Sequence, residues 1–314
     1  MSKPETTFSL VSVICISHNH ERYVEDALDS ILHQRYPNIE IIILDDCSSD
    51  CSVLRIKEWI KRNKKNCIFI QNKQRLGVTK SFNKAFEEST GDYIVDLAAD
   101  DILLPNFVSK HIFNFQNTTY ANPGISYCNV ELVTENLRHI HNHHFERSKK
   151  KLIRNPIEGV IYKEIVRTSF INPISLLSKR EVYTKLNGYD ENLIFEDLDY
   201  WIRAAREFEF IYVDEVLARK RVLSYSLTTS IKKNTPFRKE MQRSFVLVCE
   251  KTFALNKTNE EHRALLARIL LCAKWFIKNG NVEAVGRLLQ LYLKVCHQLI
   301  SSFFKISRIK VVKE

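Results

Sequence analysis

The chain has 314 residues, 45% of them hydrophobic and 27% charged, with only 7 Gly and 7 Pro. This balance excludes disordered, collagen-like and fibrous classes, and the length suits one large domain or one and a half. The formal net charge of +10 is unevenly spread: residues 231–314 hold 17 Lys and Arg against 6 Asp and Glu, and residues 1–230 hold 30 against 31.

A neutral body with a basic tail argues against nucleic acid as a partner, because a nucleic-acid surface is more often spread over the folded core. It points first to an anionic surface such as a membrane leaflet. The eight cysteines are scattered and form no CxxC pair, which reads as reduced thiols in a cytosolic protein. MSKPETTFSLVSVICISHN carries one Lys and a short apolar stretch without a small-residue cleavage site, so a first strand is expected there and not a signal peptide. No stretch is apolar for long enough to span a bilayer.

In chain order, VSVICI (11–16) reads as a buried strand ending at SHNH, and ERYVEDALDSILHQ (21–34) has helical periodicity. IEIIIL (39–44) is a second buried strand closed by DDCSSD, and SVLRIKEWIKRN a second helix with Ser48, Ser49 or Asp50 as N-cap. CIFI (67–70) is a third strand, VTKSFNKAFEEST a helix ended by Gly91, YIVDL (93–97) a fourth strand, and LLPNFVSKHIFNF a further helix. Beyond residue 125 come strand candidates ISYCNVELV and FINPISLLS, a helix EDLDYWIRAAREF with an acidic start, and FIYVDEVLARKRV as two short strands. After 236 the pattern is helical, and in the last segment Val282, Val285, Leu289, Tyr292, Cys296, Ile300 and Phe303 share one face.

Near-continuous apolar strands alternating with helices predict an α/β fold, a mostly parallel central sheet with helices on both faces and a helical C-terminal extension. The expected division is a domain over 1–235 and a basic amphipathic helical region over 236–314. In such sheets ligands bind beyond the carboxyl ends of the strands. Three polar clusters fall on that edge: SHN after the first strand, DDCSSD after the second and ADD after the fourth. Paired aspartates there suit a hard divalent cation, which takes oxygen ligands from one or two carboxylates plus substrate phosphates; helix capping by Asp100 and Asp101 is the simpler reading. Neither GxGxxG nor GxxxxGK[ST] occurs, which argues against a dinucleotide fingerprint or a P-loop.

VSVICISHNHERYVEDALDSILHQRYPNIEIIILDDCSSD, GVTKSFNKAFEESTGDYIVDLAADDILLP and GYDENLIFEDLDYWIRAA together resemble a family 2 glycosyltransferase with a GT-A fold, over residues 9–230. The resemblance implies inverting transfer of a sugar from a nucleotide diphosphate sugar, usually a UDP-sugar, to an acceptor hydroxyl. It places Ser17, His18 and Asn19 near the nucleobase, Asp46 on the uracil ring N–H with Asp45 beside it, and Gly77, Lys80 and Asn83 along the nucleotide. Asp100, with Asp101, matches the metal-binding end of the DxD motif, for Mn2+ or Mg2+. The first position of that motif is Ala98, a departure; Asp96 points the same way but sits deeper and is not expected to substitute. Asp197 matches the catalytic base with Glu196 beside it, and Arg221 a basic residue near the diphosphate.

The lipid-linked saccharide of a bacterial surface polysaccharide (O-antigen or capsule) is the acceptor this family context suggests. The tail is read either as packing on the body or as holding the enzyme on the inner face of the membrane, and the ending SSFFKISRIKVVK favours the membrane. A non-catalytic nucleotide-sugar-binding or scaffold protein is the alternative that Ala98 raises; a nucleotidyltransferase would want a basic Gly-rich loop that SHNHERY lacks. His139, His141, His143 and His144 alternate as in a solvent-facing hairpin rather than a zinc site.

Overall fold

The computed structural model describes residues 8–64, 66–146, 151–152, 155–224 and 236–311, with side chains up to Phe303. It divides into two compact units: Met1–Val160 with Phe170–Glu191 and Glu207–Ser224, and Ile161–Ser169 with Asn192–Arg206 and Tyr225–Glu314. The expected domain boundary at 235 falls outside the described residues, and the helical unit takes in two segments from earlier in the chain.

In the first unit, β1 (Val11–Ser17), β2 (Ile39–Asp45), β3 (Ile68–Gln71) and β4 (Tyr93–Ala98) run parallel. They alternate with α1 (Val24–Leu32), α2 (Ser52–Asn63) and α3 (Val78–Glu87). β5 (Ile102–Leu103) and α4 (Phe107–Asn117) follow, then β6 (Pro123–Val133), β7 (His139–Asn142), and a small ribbon of β8 (Phe145–Glu146) and β9 (Lys151–Leu152). β10 (Leu176–Lys179), α6 (Arg180–Leu186) and β11 (Glu209–Arg221) complete the unit, with α5 (Tyr162–Arg167) in the other. The sheet order is β3-β2-β1-β4-β10-β6-β11-β5, with β7 on β6; β10 pairs antiparallel to both neighbours.

Both faces of β1, β2 and β4 are largely covered, which is why these strands are mostly apolar, whereas β3 at the sheet edge is partly exposed. Val11, Val13, Cys15, Ile41, Ile43, Val95, Leu97 and Ala99 join one core with Val24, Ala27, Leu28 and Ile31 of α1 and Ile56 and Trp59 of α2. The spacing 24, 27, 28, 31 is one helical stripe. Trp59 is fully buried, and its indole N–H donates to Asp29 Oδ1 at 2.7 Å, so the polar end of a large apolar ring is satisfied.

Several expectations differ in detail: α2 is N-capped at Cys51 without a side-chain hydrogen bond, and LLPNFVSKHIFNF begins in β5 and turns helical only at Phe107. FIYVDEVLARKRV lies in one strand, β11, because register shifts between Val213 and Ala218 let it stay paired along β6. FINPISLLS holds a 3-10 turn, Pro173–Ser175, before a four-residue strand, since Pro173 has no N–H for a ladder. His144, expected on a solvent-facing hairpin, is fully buried, whereas His139 is largely exposed and pairs with Glu131 at 2.8 Å. All eight cysteines are free thiols.

The second unit is helical: α5, α7 (Asp197–Glu207, to Arg206), α8 (Pro236–Leu255), α9 (Asn259–Lys278) and α10 (Val282–Val311). Arg268 of α9 donates to the carbonyls of Ile165 and Val166 at 2.7 and 2.8 Å, closing the C-terminal end of α5. Thr258 and Glu261 form a capping box at the start of α9. α10 carries two apolar stripes. Ala284, Leu288, Leu291 and Val295 are buried, while Val282, Leu289, Leu293, Ile300 and Phe303 are 57% to 82% exposed. Of the stripe singled out in the sequence, Val282, Leu289, Ile300 and Phe303 are exposed and Val285, Tyr292 and Cys296 half-buried, because the other stripe makes the closest packing. The basic end of that segment, beyond Phe303, lies outside the described side chains.

Gly91 sits where β4 begins, with its N–H shared between Ser12 Oγ at 2.8 Å and Glu40 Oε1 at 2.7 Å. A Cβ there would lie 2.6 Å from the Ser12 backbone nitrogen and 2.9 Å from the Leu10 carbonyl. Backbone cannot give way as a side-chain tip does. Gly91→Ala is expected to destabilise the protein by about 1–3 kcal/mol, read as a lower urea midpoint; an unchanged midpoint would contradict the close approach.

Candidate active site

Ser17 stands beside Asp45 and Ile16 beside Ala98 in the parallel register. The loops after β1, β2 and β4 therefore leave one edge of the sheet, the edge at which open α/β sheets bind ligands.

The first two loops are latched together. Ser48 Oγ accepts from the Asn19 N–H at 2.9 Å, and Asn19 Oδ1 accepts from the Ser49 N–H at 2.8 Å. Ser52 Oγ accepts from the His20 N–H (2.8 Å), Asp50 Oδ2 from the Glu21 N–H (3.0 Å) and Glu21 Oε2 from the Cys51 N–H (2.8 Å). Asn19 and Cys47 adopt left-handed φ values of 57° and 59°. Asn tolerates that region and Cys does so at a cost of roughly 1 kcal/mol or more, which the latch offsets. Asp45 is fully buried and accepts from the N–H and hydroxyl of Ser48 at 2.9 and 2.5 Å. His18 must carry its proton on Nδ1, since that atom lies 2.8 Å from the Asp46 carbonyl, which only accepts.

Asp46 ties in a third loop. Its Oδ1 accepts from the Asn72 side chain at 2.9 Å and the Leu76 N–H at 2.8 Å, and its Oδ2 from the Gly77 N–H at 2.8 Å. Burial pushes this carboxyl up, but the donors of Leu76, Asn72, Gly77 and Ser81 outweigh it and hold the group below its ordinary value. Gly77 has φ of 86°, the left-handed turn that delivers the chain into α3. Lys84 donates to Asn72 Oδ1 at 2.9 Å and orients the amide.

After β4, Asp100 remains partly exposed while Asp101 is buried. Expected as a second ligand beside Asp100, Asp101 accepts on Oδ1 from the Arg221 N–H at 2.9 Å. Burial, with Asp100 adjacent, pushes its carboxyl up to about 8. Arg221 is buried as well. It donates to the Asp100 carbonyl at 2.8 Å, pairs with Asp26 and lies over the Tyr23 ring at 5.0 Å, so it props the Asp100 turn from behind. His20 is held below its ordinary value by burial against the pull of Asp100 and is neutral near pH 7. Ser17 Oγ and His20 Nδ1 are buried without a hydrogen-bond partner among the described residues, which leaves hydrogen-bonding capacity at the tip of β1.

The edge thus gathers Ser17, His18, Asn19, Asp45, Asp46, Gly77 and Asp100, with Lys80 exposed on α3. Asn83 is turned to other work, clamping Tyr189 and reaching Glu191. Glu196 and Asp197 belong to the second unit, where Asp197 opens α7 and its Oδ1 accepts from the Leu198 N–H at 2.6 Å. Sequence reasoning passed over Glu21, Ser52 and Asn72, and read Asp50 as a candidate helix N-cap, whereas the N-cap of α2 is Cys51. The Asp50–Ser52 spacing did carry a signal, an Asx turn in which Asp50 Oδ1 accepts from the Ser52 N–H at 2.9 Å.

Among the described residues no three His, Cys, Asp or Glu side chains are arranged to hold a metal ion by themselves. A hard cation at Asp100 would have one protein carboxylate and would need oxygens from a ligand such as a diphosphate.

Asp46→Ala leaves the Asn72 amide and two loop N–H groups without their acceptor and is expected to cost about 3 kcal/mol. Because the native carboxyl titrates below its unfolded value, its contribution is complete above about pH 4 and is lost as pH falls below that. The urea midpoint of the wild type should therefore fall more between pH 6 and pH 3 than that of Asp46→Asn. Equal acid limbs would contradict this role.

A family profile described as Glycosyl transferase family 2 matches residues 12–171. An uncharacterized glycosyltransferase of Methanocaldococcus jannaschii is 32% identical over 226 residues, 71% of this chain and 72% of its own length. Another, from Haemophilus influenzae, is 26% identical over 304 residues, 93% and 88% of the two chains. Among solved structures, residues 1–349 of S. aureus TarS in complex with UDP match with a TM-score of 0.68 at 16% identity, covering 92% of this chain and 83% of that one. A mannosyltransferase of Pyrobaculum calidifontis in complex with GDP-Man and Mn2+ matches with a TM-score of 0.62 at 16% identity, covering 98% and 81%. At such identities these two speak for the fold, a curled, mostly parallel GT-A sheet with C-terminal helices. The chain belongs to glycosyl transferase family 2 and is a glycosyltransferase.

Proposed function

We propose that this enzyme moves a sugar, with inversion, from a UDP-sugar to a hydroxyl of a lipid-linked saccharide during assembly of a surface polysaccharide of the O-antigen or capsule kind. The observation that carries the reading is the latched strand edge, on which Asp45, Asp46 and Asp50 hold loops while Asp100 stands partly exposed. Similar proteins support it: a Bacillus subtilis relative, 24% identical, is named provisionally for teichuronic acid biosynthesis, and the TarS structures hold UDP or UDP-GlcNAc.

In this reading Ser17, His18 and Asn19 flank the nucleotide base, Asp46 and Gly77 shape its seat, and Lys80 attends the diphosphate. Asp100 offers the carboxylate for a divalent cation, Mn2+ or Mg2+, with Asp101 and Arg221 behind it. The cation, when bound, offsets charge developing on the departing diphosphate. The anomeric bond breaks with oxocarbenium character, as in glycosidases. Inversion needs one base, because no covalent intermediate forms. Asp197, at the N-terminal end of α7, takes the acceptor proton, with Glu196 beside it. The helix dipole favours its charged form, the form that accepts a proton.

No helix among the described residues is long and apolar enough to cross a membrane. The outward stripe of α10, in a segment rich in Lys and Arg, suits peripheral contact with the inner face of the cell membrane.

A screen of nucleotide sugars with lipid-diphosphate-sugar acceptors, in Mn2+ and in Mg2+, should show UDP release that chelation abolishes. Asp197→Asn should lower that rate by about 10²- to 10⁴-fold with the Kd for UDP within about twofold; near-normal turnover would remove Asp197 from the role. For the tail, the intact protein should sediment with anionic vesicles at low salt, stay free with neutral ones, and be released by high salt. Leu289→Ser with Leu293→Ser should abolish the sedimentation, and vesicle binding unchanged by the pair would contradict the docking face.

A further inference from the structure

We infer that Asp96 is a sugar-hydroxyl-recognising residue of the donor subsite, held in place by Asn83 acting through Tyr189. This rests on the proposed nucleotide-sugar function. On β4 the residues alternate, with Val95, Leu97 and Ala99 in the core cluster and Ile94, Asp96 and Ala98 on the opposite face. Asp96 stands two residues, about 7 Å, below Ala98. Ala98 ends at its Cβ, so nothing on its own strand covers Asp96 from the edge, and the Asp96 side chain is partly exposed. Its partner in register on β1 is Ile14, and Ile16 pairs with Ala98, so the surroundings across the strands are apolar.

One carboxylate oxygen is engaged. Oδ2 accepts from the Tyr189 hydroxyl at 2.9 Å, and Oδ1 receives no hydrogen bond from a described residue. Tyr189 is itself over-determined. Asn83 accepts from its N–H and donates to its carbonyl, both at 2.9 Å, and its ring packs on Phe82 at 4.5 Å and edge-on to Tyr183 at 5.6 Å. Burial pushes the Asp96 carboxyl up to about 7 despite the tyrosine. With no partner among the described residues and not closed off from solvent, Oδ1 is open to a hydroxyl of a ligand.

The ligand follows from the chemistry. A phosphate would meet like charge. A divalent cation would find no set of three carboxylate, imidazole or thiol ligands there among the described residues. A hydroxyl donates to Oδ1 without either conflict, and the sugar is the hydroxyl-rich part of the donor. A site built to pair with a hydroxyl discriminates strongly against a ligand lacking it.

The test compares Kd values, by calorimetry in Mn2+, for UDP and for UDP-GlcNAc, UDP-glucose, UDP-galactose and GDP-mannose, using the full-length wild type, Asp96→Ala, Asp96→Asn and Tyr189→Phe. The wild type should bind one sugar nucleotide more tightly than the bare diphosphate. Asp96→Ala should lose about tenfold or more for that sugar nucleotide with the bare diphosphate within twofold; Tyr189→Phe should lose less. Asp96→Asn keeps the shape and an acceptor for Tyr189, so it guards against a folding defect and should lose the same preference. An unchanged ratio, or equal losses for both ligands in Asp96→Asn, would overturn the assignment while leaving the nucleotide-sugar function intact. Absence of any nucleotide binding by the wild type would overturn that function, and this assignment with it.

Discussion

The edge of the sheet is organised around one buried carboxylate. Asp46 directly follows β2 and gathers the Asn72 amide and the N–H groups of Leu76 and Gly77 within 2.9 Å. Charge-assisted hydrogen bonds to an ionised acceptor are among the stronger ones available to a protein. They fix a turn whose Gly77 could otherwise adopt many conformations. The same residue's carbonyl takes the His18 ring N–H, so one aspartate joins the loops after β1, β2 and β3. Ordering those loops during folding removes an entropic cost from any later binding step.

Much of this was legible in the sequence and some was not. The apolar runs at 11–16, 39–44 and 93–97 specify parallel strands, and their polar endings specify the candidate edge, because burial on both faces concentrates polar groups toward the strand tips. What the pattern does not carry is direction. Asp101 and Arg221 read as site residues but turn into the protein to brace the Asp100 loop. Asn83 reads as a nucleotide contact but clamps Tyr189. The latch between Asn19 and Ser49 joins residues 30 apart and depends on two left-handed backbone positions that no periodicity announces.

The same limit appears in α10. The stripe from Val282 to Phe303 is as regular in sequence as any core stripe, yet four of its residues, Val282, Leu289, Ile300 and Phe303, are exposed, and the buried residues are Ala284, Leu288, Leu291 and Val295. A helix with two apolar stripes has two surfaces to bury, and the helical unit itself covers one. The unusual concentration of Lys and Arg over 231–314 is consistent with an anionic surface for the other.

The proposal that the loops after β1, β2, β3 and β4 form a nucleotide seat organised by Asp46 is tested most directly by amide hydrogen exchange with and without UDP and Mn2+. Nucleotide should slow exchange at residues 17–21, 46–52, 72–80 and 98–101 and leave β6 and β7 unaffected. Protection confined to other segments, or none at saturating nucleotide, would contradict it.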